Sequence, residues 1–380
     1  MTDTRYWIAF NLVPHIGPAK TQRLLERFGD LKAAWHASHF ELATAGLDKR
    51  AYDSLLETRQ KINLDAELQK IARAGVRVLT LDDSNYPRLL KNIPNPPCVL
   101  YIKGEIIPDD EWAIAVVGTR RASVYGKEVT RRIVTDLTHN HVTIVSGLAR
   151  GIDAEAHRAA LEANGRTLAV LGCGVDVIYP PEHKSLAEDI TKHGALISEY
   201  PLGTKPEAGN FPPRNRIISG LSLGALIVEG DESTGARITI EDALEQGRET
   251  FAVPGNIYHR ESRGTNKMIQ RGEVKLVTCA MDILEELNLT MVEQQQQVQA
   301  ILPENESESA LLKILSAEPI HIDELGRQTA MPISTVSSTL TMMELKGLVR
   351  QVGGMKYVMA RETTEGYKST SQSGNLGTGS

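Results

Sequence analysis

An α/β class with a doubly wound, mostly parallel sheet is predicted by three observations. Short apolar runs recur from residue 113 onward: AIAVVG, VTIVSG, TLAVLGCG, ALISEYPLG, GALIVEG and TFAVPG, separated by helix-like segments. Almost every run closes on glycine or a Pro-Gly turn. The runs are apolar throughout instead of alternating, as strands are when helices cover both faces. Ligands of such sheets sit beyond the carboxyl ends of the strands, where this chain concentrates glycines, arginines and acids.

The chain has 380 residues, which predicts more than one domain. The net charge of -6 excludes a uniformly basic coat but permits a local basic patch. Cys98, Cys173 and Cys279 lie far apart, with no CxxC and no nearby histidine pair. No disulfide framework, zinc site or other metal is expected, and a reducing cytoplasm suits them. No segment approaches the roughly 20 apolar residues of a membrane span, and the N-terminus lacks the basic, apolar build of a secretory leader.

Residues 1–60 read as a helical domain, with Leu24, Leu25, Phe28 and Leu31 near helical spacing. Ile16-Gly17-Pro18 resembles the hairpin of a helix-hairpin-helix unit. It either presents backbone amides to a phosphate or serves as a structural hairpin; the structural role is favoured. The sheet domain spans 61–288, counting an N-terminal extension: a helix over 64–74, the strand VRVLTL, a proline-rich stretch, and a strand at 98–102. Residues 289–307 are polar, Gln-rich and acidic, a linker by composition. Residues 308–360 read as three helices followed by a hairpin turning at Gly353-Gly354, a winged helix. Its third helix carries hydroxyls and methionines with little basic charge, so contact with protein competes evenly with contact with DNA. The tail, 361–380, is expected to be disordered.

SGLARGIDAEAH, from Ser146 to His157, has the layout of a phosphate-binding turn. Gly147 and Gly151 allow a tight turn and close backbone approach, and a helix over 153–164 directs its positive end at the loop, with Asp153 as its N-cap. The loop is not GxGxxG, so a dinucleotide fingerprint fails. After the first parallel strand, Gly118 opens a turn, Arg120 and Arg121 bring positive charge, and Thr119 and Ser123 add hydroxyls. Gly126-Lys127 is no P-loop: the glycine spacing is too long, and Glu128 stands where a metal-binding hydroxyl belongs. NFPPRNRIISGLS adds Arg214 and Arg216, with guanidinium groups suited to phosphates, and Asn215 between them. Phe211 is equally a stacking platform for a base and a core residue. Glu199, Glu229, Glu241, Asp153 and Asp176 either do acid–base work or hold the arginines in place. His157 reads as structural.

VVGTRRASVYG, SGLARGIDAEAH, AVLGCGVDVIYPPEH, SEYPLG, FPPRNRIISGLS, LIVEG, TGARITIEDALEQGR and FAVPG occur in the order seen in the DNA-processing protein A (DprA, or Smf) family, which the chain resembles over about 113–280. The resemblance implies an extended Rossmann-like core that binds single-stranded DNA, helps load RecA in natural transformation and forms a homodimer. It implies no enzymatic activity and no cofactor. By motif, the DNA pocket falls on Gly118, Thr119, Arg120, Arg121, Ser123, Ser146, Gly147, Gly151, Phe211, Arg214, Asn215 and Arg216. Two departures stand out. Thr119 replaces the common serine, and Lys205 stands in for a lysine that many members carry just before the Phe-Pro-x-Arg-Asn-Arg segment. The competing enzyme class is a nucleotide-processing phosphoribohydrolase, whose Pro-Gly-Gly-x-Gly-Thr-x-x-Glu signature is absent; its nearest echo is DESTGARITIE, with Glu241. A second competitor is a winged-helix regulator of transcription.

Overall fold

Six apolar runs become six parallel strands: β3 (Ala113–Val117), β4 (Thr143–Ser146), β5 (Thr167–Val170), β6 (Gly194–Ser198), β7 (Gly224–Ile227) and β8 (Glu249–Ala252). Before them come β1 (Arg77–Thr80) and β2 (Val99–Gly104), and after them the short β9 (Lys275–Leu276). The computed structural model describes residues 3–287, 306–316, 318–346 and 348–359, in two units that divide after Leu287.

The nine strands order as β1-β2-β6-β5-β4-β3-β7-β8-β9. From β6 through β9 all neighbours are parallel; only β1–β2 and β2–β6 are antiparallel. Both faces of the sheet are covered, which is why β3 and β4 are buried at every position. On one face Trp7, Phe10, Leu24 and Trp35 of the N-terminal helices share a core with Val99, Tyr101, Ala169 and Leu196 of the sheet. Asn11 fixes this contact: its side-chain amide donates to the Glu199 carbonyl at 3.2 Å and accepts from the Tyr101 hydroxyl at 3.0 Å. The other face packs Ile114-neighbouring Ala113 and Ala115 of β3 with Ile217, Ile218, Ile240 and Met268 of the covering helices.

The second unit contains the helices Glu306–Leu312, Ile322–Thr329 and Ile333–Leu345. Its three-stranded sheet orders as β10 (Ile320–His321), β12 (Lys356–Met359) and β11 (Val349–Gln351). This is the winged helix expected from the sequence. Leu311, Leu325, Val336, Leu340 and Met343 form its core. Gly353 and Gly354, at φ +91° and +54°, make the turn of the wing in the left-handed region that glycine tolerates. The expected linker lies outside the described residues as far as 305, and the expected tail lies outside them entirely. No helix among the described residues is long and apolar enough to cross a membrane.

Candidate functional site

The chain leaves β3 toward β4, β5 and β6 on one side, then returns to β7, β8 and β9 on the other. Loops following β3 and β7 therefore diverge and leave a crevice at the carboxyl edge, the position at which doubly wound sheets bind ligands. A cleft of about 710 Å³ opens there. Of the residues predicted from sequence, Gly118, Thr119, Arg120, Arg121, Phe211, Arg214 and Asn215 line it.

The loop after β3 is anchored to the loop after β7. Thr119 N donates to the Glu229 carbonyl at 2.7 Å. Ser123 caps the helix Val124–His139, accepting from Gly126 N at 3.0 Å, while its own hydroxyl and amide donate to the Glu229 carboxylate at 2.5 and 2.9 Å. Ser123 and Glu229 are thus struts, and Ser123 does not line the cleft. Arg120 and Arg121 are exposed, and among the described residues neither is in an ion pair. The Arg120 guanidinium lies 5.8 Å from the centre of the Phe211 ring.

The loop after β4 turns inward. Ser146 is fully buried, its hydroxyl donating to the Val116 carbonyl at 2.7 Å. Gly151 stands at φ +77° against the β3 loop, where a Cβ would strike the Thr119 carbonyl. Gly151 is also the N-cap of the helix Ile152–Glu162, so the expected cap at Asp153 is corrected. Asp153 lies inside the first turn and reaches back to accept from Gly147 N at 3.1 Å. The carbonyl of Gly147 accepts from Arg214 at 2.9 Å. This loop braces the arginine; of its own residues, Ala149 and Asp153 reach the cleft surface, whereas Ser146, Gly147 and Gly151 do not.

Arg214 and Arg216 occupy the helix Phe211–Gly220 but turn apart, since two residues rotate a helix by roughly 200°. Arg214 is 4% exposed and also donates to the Val170 carbonyl; its Nε lies 3.3 Å from Asn215 Oδ1. Burial pulls its pKa down to about 10, opposed by the charge of Asp153. Burial likewise pushes Asp153 up, opposed by Arg214. Each charge supplies the compensation that a buried ion needs. Arg216 instead makes a two-pronged ion pair with Glu199, at 2.7 and 3.1 Å, and does not line the cleft. The sequence expectation put both arginines at one phosphate site; the structure turns Arg216 away from the cleft lining and sets its fork on Glu199. Lys205 is exposed but is not part of the lining, although the adjacent Pro206 is. Phe211 is partly exposed in the cleft wall, its ring 5.7 Å from that of Tyr179 and 5.9 Å from the Arg214 guanidinium.

The acids divide among structural partners. Glu241 pairs with Arg237 of its own helix at 2.8 Å, and Asp176 accepts from Gly203 N at 2.8 Å. His157 is fully buried, 2.6 Å from the Thr167 hydroxyl, and burial drives its pKa down to about 3. Sequence reasoning missed Tyr179 and the second wall of the cleft, formed by Asp231, Ser233, Thr234, Thr239 and Arg260. The strand order held the signal. A reversal between β3 and β7 makes the loop after β7 a cleft wall as surely as the loop after β3.

The model of a family described as DNA recombination-mediator protein A matches residues 77–288, and that of the DprA winged helix domain matches residues 295–355. Protein Smf from Synechocystis is 36% identical, over 94% of this chain and 98% of its own. Protein Smf from Escherichia coli is 35% identical, over 93% and 95%. Among solved structures, DNA processing protein A from Streptococcus pneumoniae superposes with a TM-score of 0.67 at 35% identity, covering 75% of this chain and 99% of that one. DNA processing protein A from Helicobacter pylori, solved to describe its single-stranded DNA binding mode, gives a TM-score of 0.51 at 28% identity, covering 56% and 95%.

Proposed function

The chain belongs to the DNA recombination-mediator protein A (DprA/Smf) family, and from that premise we propose that it binds single-stranded DNA in the cleft between the β3 and β7 loops. It protects incoming or exposed strands and helps load RecA onto them in natural transformation or recombination, working in the cytoplasm as a homodimer and without catalysis of its own. One observation carries the reading. Arg120 and Arg121 are exposed at the switch-point cleft without carboxylate partners among the described residues, beside the partly exposed ring of Phe211. Free guanidinium groups beside an aromatic ring suit a strand that offers a phosphate and a stackable base at every step. Such binding tolerates any sequence and weakens steeply with salt, as counterions are released. A second subunit lengthens the track and raises avidity.

Arg214, held by the Gly147 and Val170 carbonyls and balanced by the charge of Asp153, supports the floor of the cleft as a fixed positive charge. Against a phosphoribohydrolase, Glu241 is paired with Arg237 and Glu229 with Ser123, which supports a structural role for these acids. The function is tested by timing RecA assembly on a long single strand coated with single-strand-binding protein, with and without the chain. A shortened lag that needs Arg120 is expected. An unchanged lag, with the strand demonstrably bound, would remove the loading step from the proposal.

A further inference from the structure

We propose that a second, aromatic track lies outside the cleft mouth, formed by Val124, Tyr125, Ile257 and Tyr258, and that it takes the bases of a single strand leaving the cleft. The inference rests on the cleft reading above and extends it to the path of the strand. Val124 is 88% exposed, Tyr258 84%, Ile257 72% and Tyr125 48%. Two segments supply them, and one hydrogen bond joins these segments: the Tyr125 hydroxyl donates to the Pro254 carbonyl at 2.8 Å. Each segment also runs directly into the cleft wall. Arg121 lies three residues before Val124, and Arg260 two residues after Tyr258; both line the cleft.

The platform is braced. Gly255 N donates to Asn266 Oδ1 at 3.0 Å, and Asn266 Nδ2 returns a bond to the Gly255 carbonyl at 2.9 Å. Tyr258 N donates to Asn256 Oδ1 at 2.9 Å, and His259 N to the Asn256 carbonyl at 3.0 Å. A loop tied down in this way holds its apolar side chains outward with no gain to the core, and grouped exposure of that kind marks a contact surface.

Charge selects the occupant. Residues 119–132 carry five basic side chains; Arg131 is ion-paired with Glu155 at 2.7 Å, which leaves Arg120, Arg121, Lys127 and Arg132 without ion pairs among the described residues, in a chain whose net charge is -6. On the other side Arg260 is ion-paired with Asp231 at 2.6 Å, while Arg263 is in no ion pair among the described residues. Aromatic rings among arginines match the alternating bases and phosphates of a single strand.

The experiment compares oligo-dT of about four nucleotides, short enough for the cleft alone, with about sixteen nucleotides, long enough to reach the track, on the full-length chain. Tyr258→Ala combined with Ile257→Ala should weaken the long oligomer about five- to hundredfold and leave the short one unchanged; Tyr258→Phe, which keeps the ring, should bind both as the parent does. Equal affinity of the parent and the double variant for the long oligomer overturns the track, while intact short-oligomer binding shows that the cleft reading survives. A double variant that binds DNA normally but changes its mass by light scattering would assign the patch to contact between copies of this chain, and also overturns the proposal. Loss of short-oligomer binding by the parent would instead sink the cleft reading itself.

Discussion

Two arginine-bearing segments meet near this cleft, and they behave differently. In the loop after β3, Arg120 and Arg121 are exposed and without ion pairs among the described residues. In the helix Phe211–Gly220, Arg214 is sealed among carbonyls with the charge of Asp153 opposing its own, and Arg216 is locked to Glu199. Both segments read in the sequence as positive charge beside a glycine loop. The lesson is that charge available to a ligand is charge without a counter-ion. Packing decides that, because a buried guanidinium must be compensated within the protein before it can serve anything outside.

The comparison makes the two segments separable by mutation. The largest effect is expected for Arg214→Ala, which strands the Asp153 carboxylate and orphans two carbonyls. Urea denaturation should show a loss of about 3–5 kcal/mol, together with loss of DNA binding. Arg214→Lys should restore little, since an ammonium cannot reproduce the planar fork. Next comes Arg216→Ala, with a loss of about 3 kcal/mol from the broken Glu199 pair. Its folded fraction should bind single-stranded DNA as the parent does, and weakened binding would return Arg216 to the site. Arg120→Ala reverses the pattern: stability should stay within about 0.5 kcal/mol, as for other surface changes, while affinity falls about 10- to 100-fold.

The smallest effect concerns Asp242, whose pKa is pushed up to about 6 by burial, then by the charges of Glu245 and Glu241, with Arg216 opposing. Folded Asp242 holds its proton more tightly than the unfolded chain does. Its contribution is therefore complete below about pH 4 and lost as pH rises through 6. Asp242 is only half-buried, so the loss amounts to about 1 kcal/mol after solvent screening. Asp242→Asn should remove that decline between pH 4 and 6, and stability curves of the two proteins that stay parallel there would contradict it.

Much of the fold was legible because a buried parallel strand announces itself as an unbroken apolar run closed by glycine, and all six such runs became strands. β9 escaped: two exposed residues, Lys275 and Leu276, carry no periodic signal. The cap at Asp153 was misplaced because acids are common both at a cap and in the first turn; Gly151, with its positive φ, took the cap. At the cleft, composition located the loops but not the side-chain directions. Arg214 and Arg216 differ by half a turn of helix, and only the position of Glu199, in another segment, decides which one faces the cleft. Asp231 and Thr234 were invisible until the strand order placed the β7 loop opposite the β3 loop, and Arg260, which follows β8, until the structure paired it with Asp231.

The most direct test is the affinity of a labelled oligo-dT across a salt series, measured by fluorescence anisotropy for the parent, Arg120→Ala and Arg216→Ala. The account predicts that Arg120→Ala alone weakens binding and lowers the slope of log K against log salt by about 0.7, the share of one phosphate contact on a single strand. Equal losses in the two variants, or a slope unchanged by Arg120→Ala, would contradict the claim that the unpaired arginine of the β3 loop is the one that meets the DNA.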